Sequence, residues 1–168
     1  MIKHQIIKDE TDDQIILADN LLYKIYIVSC FIVLGAFSAL FSIYVLDGAE
    51  NEMKLLKIFY ALLAPLMLYH GLYYLLVSNF VIIDKKSQNI IIKKDSIIKR
   101  FKCIKEIPLS DIEEVNATYE FDSDYGKHWK VYVKTTLGEH KKIYDASGES
   151  DANRMEKKIY NTINRFTG

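Results

Sequence analysis

The sequence predicts an α+β protein: an N-terminal transmembrane helical hairpin followed by a curved β-sheet covered at one open end by a C-terminal helix. Three observations predict it. Uninterrupted apolar blocks occupy 25–46 and 58–79, strand-like runs separated by turn residues begin at Phe80, and one amphipathic stripe closes the chain. Averages conceal this organisation. The 168 residues carry 22 basic and 22 acidic side chains with a mean hydropathy of +0.01, the profile of one neutral soluble domain.

The first block, Ile25 to Leu46, lies between Lys24 and Asp47 and contains no charge. The second runs from Ile58 to about Asn79, between Lys57 and Asp84. As a helix, each extends about 33 Å, enough for a hydrocarbon core of about 30 Å. Ile, Leu, Val and Phe supply 13 residues of the first block. At about −0.3 to −0.6 kcal/mol each, they favour insertion by roughly 4–8 kcal/mol. A cleavable signal peptide does not fit, because Asp9, Glu10, Asp12, Asp13 and Asp19 precede the block and no small-residue cleavage site follows it.

Basic residues near the helix ends set the expected orientation. Lys3, Lys8 and Lys24 precede the first block, and Lys85, Lys86, Lys93, Lys94, Lys99 and Arg100 follow the second, against Lys54 and Lys57 in the connecting loop. Both termini are therefore expected in the cytoplasm of a cell whose inner membrane the chain crosses twice. Residues 1–20 read as a polar cytoplasmic tail, 21–79 as the hairpin and 80–168 as a cytoplasmic domain. Gly35 and Ala39 form a small-xxx-small face for helix pairing, and Pro65 is expected to kink the second helix. Tyr23, Tyr26 and Tyr44 suit interfacial anchoring. His70 is an intramembrane polar candidate, read foremost as a neutral imidazole bonded to a tyrosine or to the first helix, since neither span offers a second group for a proton relay.

In the domain, strands are expected at Phe80–Asp84, Ile90–Lys94 and Ile97–Ile107, with turns at 85–89 and Asp95-Ser96. Leu109–Val115 reads as a helical turn with Ser110 as N-cap and Glu113 at capping-box spacing. Asn116–Phe121 and His128–Thr135 form a hairpin, Leu137-Gly138 turns the chain, and His140–Asp145 is the last strand. In the helix from about Ser150 to Phe166, Ala152, Met155, Ile159, Ile163 and Phe166 form one apolar stripe facing the sheet.

The stretch Ile107-Pro108-Leu109-Ser110-Asp111-Ile112-Glu113-Glu114-Val115 resembles the I-P-x-S-x-I-x-x-V signature of bacterial pleckstrin-homology-like domains. The hairpin, glycine turn, strand and terminal helix after it follow the order seen there, and paired membrane helices often precede such domains. The resemblance covers roughly residues 79–166. It implies a seven-stranded curved sheet or partial barrel capped by the helix, with no common ligand and no catalytic apparatus.

Chemistry-bearing motifs are few. The sequence has no GxSxG, HExxH, P-loop or GxGxxG, so no catalytic residue, cofactor or metal site is expected. Neutral charge argues against nucleic-acid binding. Cys30 and Cys103 are too far apart for a CxxC site, and Cys103, alternating with Phe101, reads as a core residue of a reduced compartment. Asp122–Gly126 has acidic residues like a calcium loop but lacks its spacing, and reads as a hairpin turn. The residues 85–105 carry eight bases and one acid, Asp95, for a net of +7. Within them Lys93, Lys94, Lys99 and Arg100 flank the expected Asp95-Ser96 turn and are candidates for docking on the anionic cytoplasmic leaflet, against an ordinary solvated strand face.

Three functions fit. The first is a membrane-anchored, non-enzymatic interaction or scaffolding module that takes a protein partner or forms a homo-oligomer. The second is a two-helix membrane effector whose β-domain senses a small, nucleotide-like ligand. The third is a membrane-located immunity or accessory protein. The bilayer is a partner in all three.

Overall fold

A computed structural model of the chain describes residues 5–45, 54–96, 98, 102–122 and 126–168. It is α+β, with two apolar helices, two antiparallel sheets and a C-terminal helix, and the sheets do not close into a barrel. The chain divides into a helical unit, Leu21–Val77, and a second unit formed by the residues before Leu21 together with Ser78–Gly168.

The helical unit contains α1 (Leu21–Leu40), which passes into a π-helical segment at Phe41–Val45, and α2 (Lys54–Leu76), which continues through Pro65. Stretches Leu21–Tyr44 and Leu56–Leu76 are long and apolar enough to cross a membrane. Both spans begin earlier than the blocks at 25–46 and 58–79, and the second ends earlier too. The helices pair antiparallel, since rising positions on α1 meet falling positions on α2. A Cβ on Gly71 would lie 3.1 Å from Phe31 Cβ, one on Gly35 would lie 3.4 Å from the Ala64 carbonyl oxygen, and Ser42 Oγ donates to the Lys57 carbonyl at 3.2 Å. The expected small-residue face is present with one change. Gly35, Ser38 and Ser42 are buried, whereas Ala39 is half-exposed. Lys24 is buried and donates to the Val77 carbonyl beyond the end of α2, where a cation complements the helix dipole.

The second unit differs most from expectation at its start. The residues read as a polar tail form β1 (Gln5–Glu10) and β2 (Gln14–Asp19). They join β3 (Val77–Asp84), β4 (Asn89–Ser96) and β5 (Cys103–Pro108) in one sheet of order β1-β2-β3-β4-β5. Alternation explains why: Ile15 and Leu17 are fully buried opposite Ile83 and Val81, while Thr11 closes a turn that carries Asp12 and Asp13. The helical hairpin is thus inserted between two hydrogen-bonded strands. β3 follows α2 without a break, and Asp19 accepts from both the backbone N–H (2.9 Å) and the side chain (3.0 Å) of Asn79, favouring strand where helix was expected to reach 79.

Two local expectations fail for tertiary reasons. Asp95 and Ser96 continue β4 instead of turning, and Ser96 is buried. The strand expected from Ile97 is seen from Cys103, with 97 and 99–101 outside the described residues. The helical turn after Pro108 is limited to Leu109–Asp111. No capping box forms, because Ser110 Oγ donates to Asp111 Oδ1 (3.1 Å) and Glu113 pairs with Lys134 (2.8 Å) across the second sheet.

That sheet contains β6 (Ile112–Asp122), β7 (Gly126–Thr135) and β8 (His140–Asp145). Of the Asp122–Gly126 loop, 123–125 lie outside the described residues, and its ends pair as the close of the β6–β7 hairpin. Gly138, at φ 77°, supplies the left-handed residue of the turn into β8. Helix α3 (Glu149–Thr167) buries the whole expected stripe, from Ala152 to Phe166, against Val115, Val131, Val133 and Ile143.

Candidate functional site

The inner face of the five-stranded sheet changes chemistry along its length. Opposed residues of an antiparallel pair share a face. On β4 and β5 the inner pairs are Ile90–Ile107, then Ile92–Lys105, then Lys94–Cys103. The first pair is in the core. The next two introduce two cations and a thiol on the side that began as hydrophobic interior. Asn79 occupies the same position on β3, two residues before buried Val81. Across from them, Lys141 lies opposite core residue Val133 and two residues before buried Ile143, so its stem also belongs to the inner face.

These residues, with His140 and Lys142 at the rim, line a cleft of about 320 Å³ where the two sheets diverge. That is the lower end of the size range of small-molecule pockets. Lys94, Lys105, Lys141 and Lys142 all contribute to its lining, Lys141 and Lys142 from opposite faces of β8. Glu139 pairs with Lys141 at 2.9 Å, and Lys142 turns its ammonium to Asp145 at 2.9 Å on the face that carries Tyr132 and Glu120. The hydrogen bond and charge of Lys141, with Lys105 adding to them, hold the Glu139 carboxyl below its ordinary range. Both ion pairs are solvent-accessible, worth about 0–1 kcal/mol each.

The expected docking quartet does not stay together. Lys94 points into the cleft, while Lys93, one residue away, lies on the opposite face and pairs with Asp95 at 3.5 Å. Lys102 pairs with the same carboxylate at 3.4 Å. Lys99 and Arg100 lie outside the described residues. Cys103 is exposed in the cleft wall rather than buried in the core, because the inner face runs past the last residue that α3 and the second sheet cover. His70 is exposed on α2, and its Nδ1–H donates to the Leu66 carbonyl of its own helix at 2.9 Å, not to a tyrosine or to α1.

Sequence reasoning missed Lys105, His140, Lys141 and Lys142 as one group. The signal was the alternation that places Lys105 in phase with Ile107 and Lys141 in phase with Ile143. No group of three His, Cys, Asp or Glu side chains suited to a metal occurs among the described residues. No protein-family model and no curated protein matches the sequence.

Proposed function

We propose that the chain is a membrane-anchored, non-enzymatic interaction module, related in architecture to pleckstrin-homology-like domains and held at the cytoplasmic face of the inner membrane. One observation carries this reading. Two helices of membrane-crossing length are inserted between the paired strands β2 and β3, so anchor and binding unit are consecutive parts of one strand–helix–helix–strand path. The excess of lysine in Lys85–Lys105 supports cytoplasmic placement of the second unit. Lys93, on the outer face of β4, remains a candidate for contact with anionic headgroups. The second reading, a membrane effector gated by a small ligand, draws on the cationic cleft.

The sequence contains two cysteines, which makes topology directly measurable. In a Cys30→Ser background, a membrane-impermeant maleimide should label Cys103 in inside-out vesicles and not in intact spheroplasts, and alkaline carbonate should leave the protein in the pellet. Labelling from outside, or extraction by carbonate, overturns the proposal. Fusion to an inducible dimeriser separates the readings: a recruiting module leaves growth unchanged, whereas an effector arrests it.

A further inference from the structure

We propose that the chain forms a parallel homodimer in the membrane through the face of α2 turned away from α1, with Tyr69 of each copy donating to His70 of the other. The inference rests on the membrane-spanning reading of the two helices and names what covers their outer surface.

Unmet polar atoms stand on a surface otherwise suited to lipid. The His70 Nδ1–H donates to the Leu66 carbonyl at 2.9 Å, so in the neutral imidazole Nε2 is an acceptor. No donor meets Nε2 among the described residues, and the side chain is exposed on α2. His70 lies six residues before Leu76, the end of the apolar stretch, and so about 9 Å inside it. An imidazole is too short to reach headgroup water from that depth. The exposed Tyr69 hydroxyl has no acceptor among the described residues either, and its ring stands edge-on to His70 with centroids 5.7 Å apart. Ionisable residues in membrane helices face protein or a water-filled cavity, and pairing with α1 supplies neither here.

Periodicity identifies the occupant. Phe59, Leu62, Leu66, Tyr69, Tyr73 and Leu76 recur at spacings of 3, 4, 3, 4 and 3, the a/d repeat of a two-stranded seam. At 100° per residue, this seam lies opposite Ala64 and Gly71, the buried positions that pack on α1. Its first four members are exposed. With Phe59 at a, Tyr69 falls at d and His70 at the adjoining e. In a parallel pair a d side chain enters a hole of four residues on the facing helix, here Leu66, Tyr69, His70 and Tyr73 of the second copy. The phenol of one copy therefore meets the imidazole of the other. A two-fold axis along the membrane normal repeats the bond and keeps both copies in one bilayer with one orientation. Donor and acceptor are adjacent residues of a single face, so the complement of this surface is the surface itself.

The full chain carrying Cys30→Ser is labelled at exposed Cys103 with donor or acceptor dye. Energy transfer is then followed in phosphatidylcholine vesicles as lipid dilutes the protein. Transfer should exceed the random-mixing level and follow a dimerisation curve. Two interhelical hydrogen bonds correspond to about tenfold in Kd. Tyr69→Phe and His70→Leu should each weaken association about tenfold, and the double variant no further, with helical circular dichroism unchanged. In a Cys30→Ser/Cys103→Ser background, Leu66→Cys should form an intermolecular disulfide on oxidation, while Val33→Cys, on the exposed side of α1, should not. Transfer at the random-mixing level, a double variant that multiplies the single effects, or cross-linking through Val33→Cys in place of Leu66→Cys overturns the dimer. Alkaline carbonate separates this inference from the reading beneath it. Protein that stays in the pellet without self-association removes the dimer and leaves the anchored module, whereas protein that carbonate extracts removes the module itself.

Discussion

The hydrogen-bond cluster around Asp151 yields the most quantitative prediction. Asp151 is the third residue of α3 and is 9% exposed. Its carboxylate accepts from the hydroxyl of fully buried Tyr144 (3.0 Å), from Ser147 N–H (3.2 Å), from Ser147 Oγ (3.1 Å) and from Arg154 Nη2 (2.8 Å). The Tyr144 hydroxyl also lies 3.3 Å from the Gln5 carbonyl, and Gln5 Oε1 accepts from Asp145 N–H at 2.8 Å. The cluster therefore joins β1, β8 and the start of α3, which no backbone ladder connects.

Asp151→Ala removes the common acceptor. Arg154 is largely exposed and returns to water at little cost. The tyrosine hydroxyl and the Ser147 N–H are less accessible, and hydrogen bonds to a charged group are worth about 1.5–3 kcal/mol each. The expected loss is about 3–4 kcal/mol. Tyr144→Phe leaves the Ser147 and Arg154 donors on Asp151 and should cost only about 1 kcal/mol. In the Asp151→Ala background the same Phe substitution removes a hydroxyl already stripped of its better acceptor, so the double variant should recover about 1–2 kcal/mol relative to additivity. The single tryptophan, Trp129, lies on β7, so urea unfolding followed by its fluorescence in detergent reports this unit alone. With a urea slope of about 1–3 kcal/mol/M, Asp151→Ala should lower the midpoint by at least about 1 M. Singles that add to within about 0.5 kcal/mol in the double variant refute the shared-acceptor account.

Two further predictions concern the helices and acid stability. Gly71→Val places a branched side chain where even a Cβ meets Phe31 at 3.1 Å, and should destabilise the helix pair by about 1–3 kcal/mol. Gly148→Ala, whose Cβ meets nothing within 4 Å, is the neutral control; helical circular dichroism against temperature in detergent compares them. Asp84, Glu120 and Glu139 are among the carboxyls of the second unit held below their ordinary values. Glu120 is held down by hydrogen bonds from Lys130 and Tyr132, and Glu139 by Lys141. At Asp84, burial pushes upward but is outweighed by hydrogen bonds from Ser87 and Lys86. A depressed folded-state value contributes stability that is present above the unfolded value and lost as pH falls through the folded one. Stability should therefore drop as pH falls below about 4.5, and Glu120→Gln/Glu139→Gln should flatten that drop in urea titrations at successive pH values. An unchanged acid limb in this variant counts against both interactions.

Legibility followed the range of the forces involved. The membrane-length helices and the stripe of α3 were readable because length, apolarity and 3.6-residue periodicity are local properties. β8 was readable because its bounding turn signals lie within a few residues. Less was legible at β1–β2. Five acids suggested a solvated tail, yet two of them belong to the Thr11–Asp13 turn, and Ile15 and Leu17 find their partners only in β3. The short extent of the turn after Pro108 was likewise decided by a distant partner, Lys134, which claims Glu113.

The candidate site divides in the same way. The sequence alone determined an apolar hairpin, an α+β domain and an excess of lysine between 85 and 105. It grouped those lysines by proximity along the chain, which set Lys93 beside Lys94. In a strand, neighbours in sequence face opposite ways, so tertiary structure separated that pair and instead joined Lys94 and Lys105 to Lys141, from a strand in the other sheet. Helix formation depends on residues a turn apart, whereas a cleft depends on which sheets diverge and where the core ends. Only long-range strand pairing decides that.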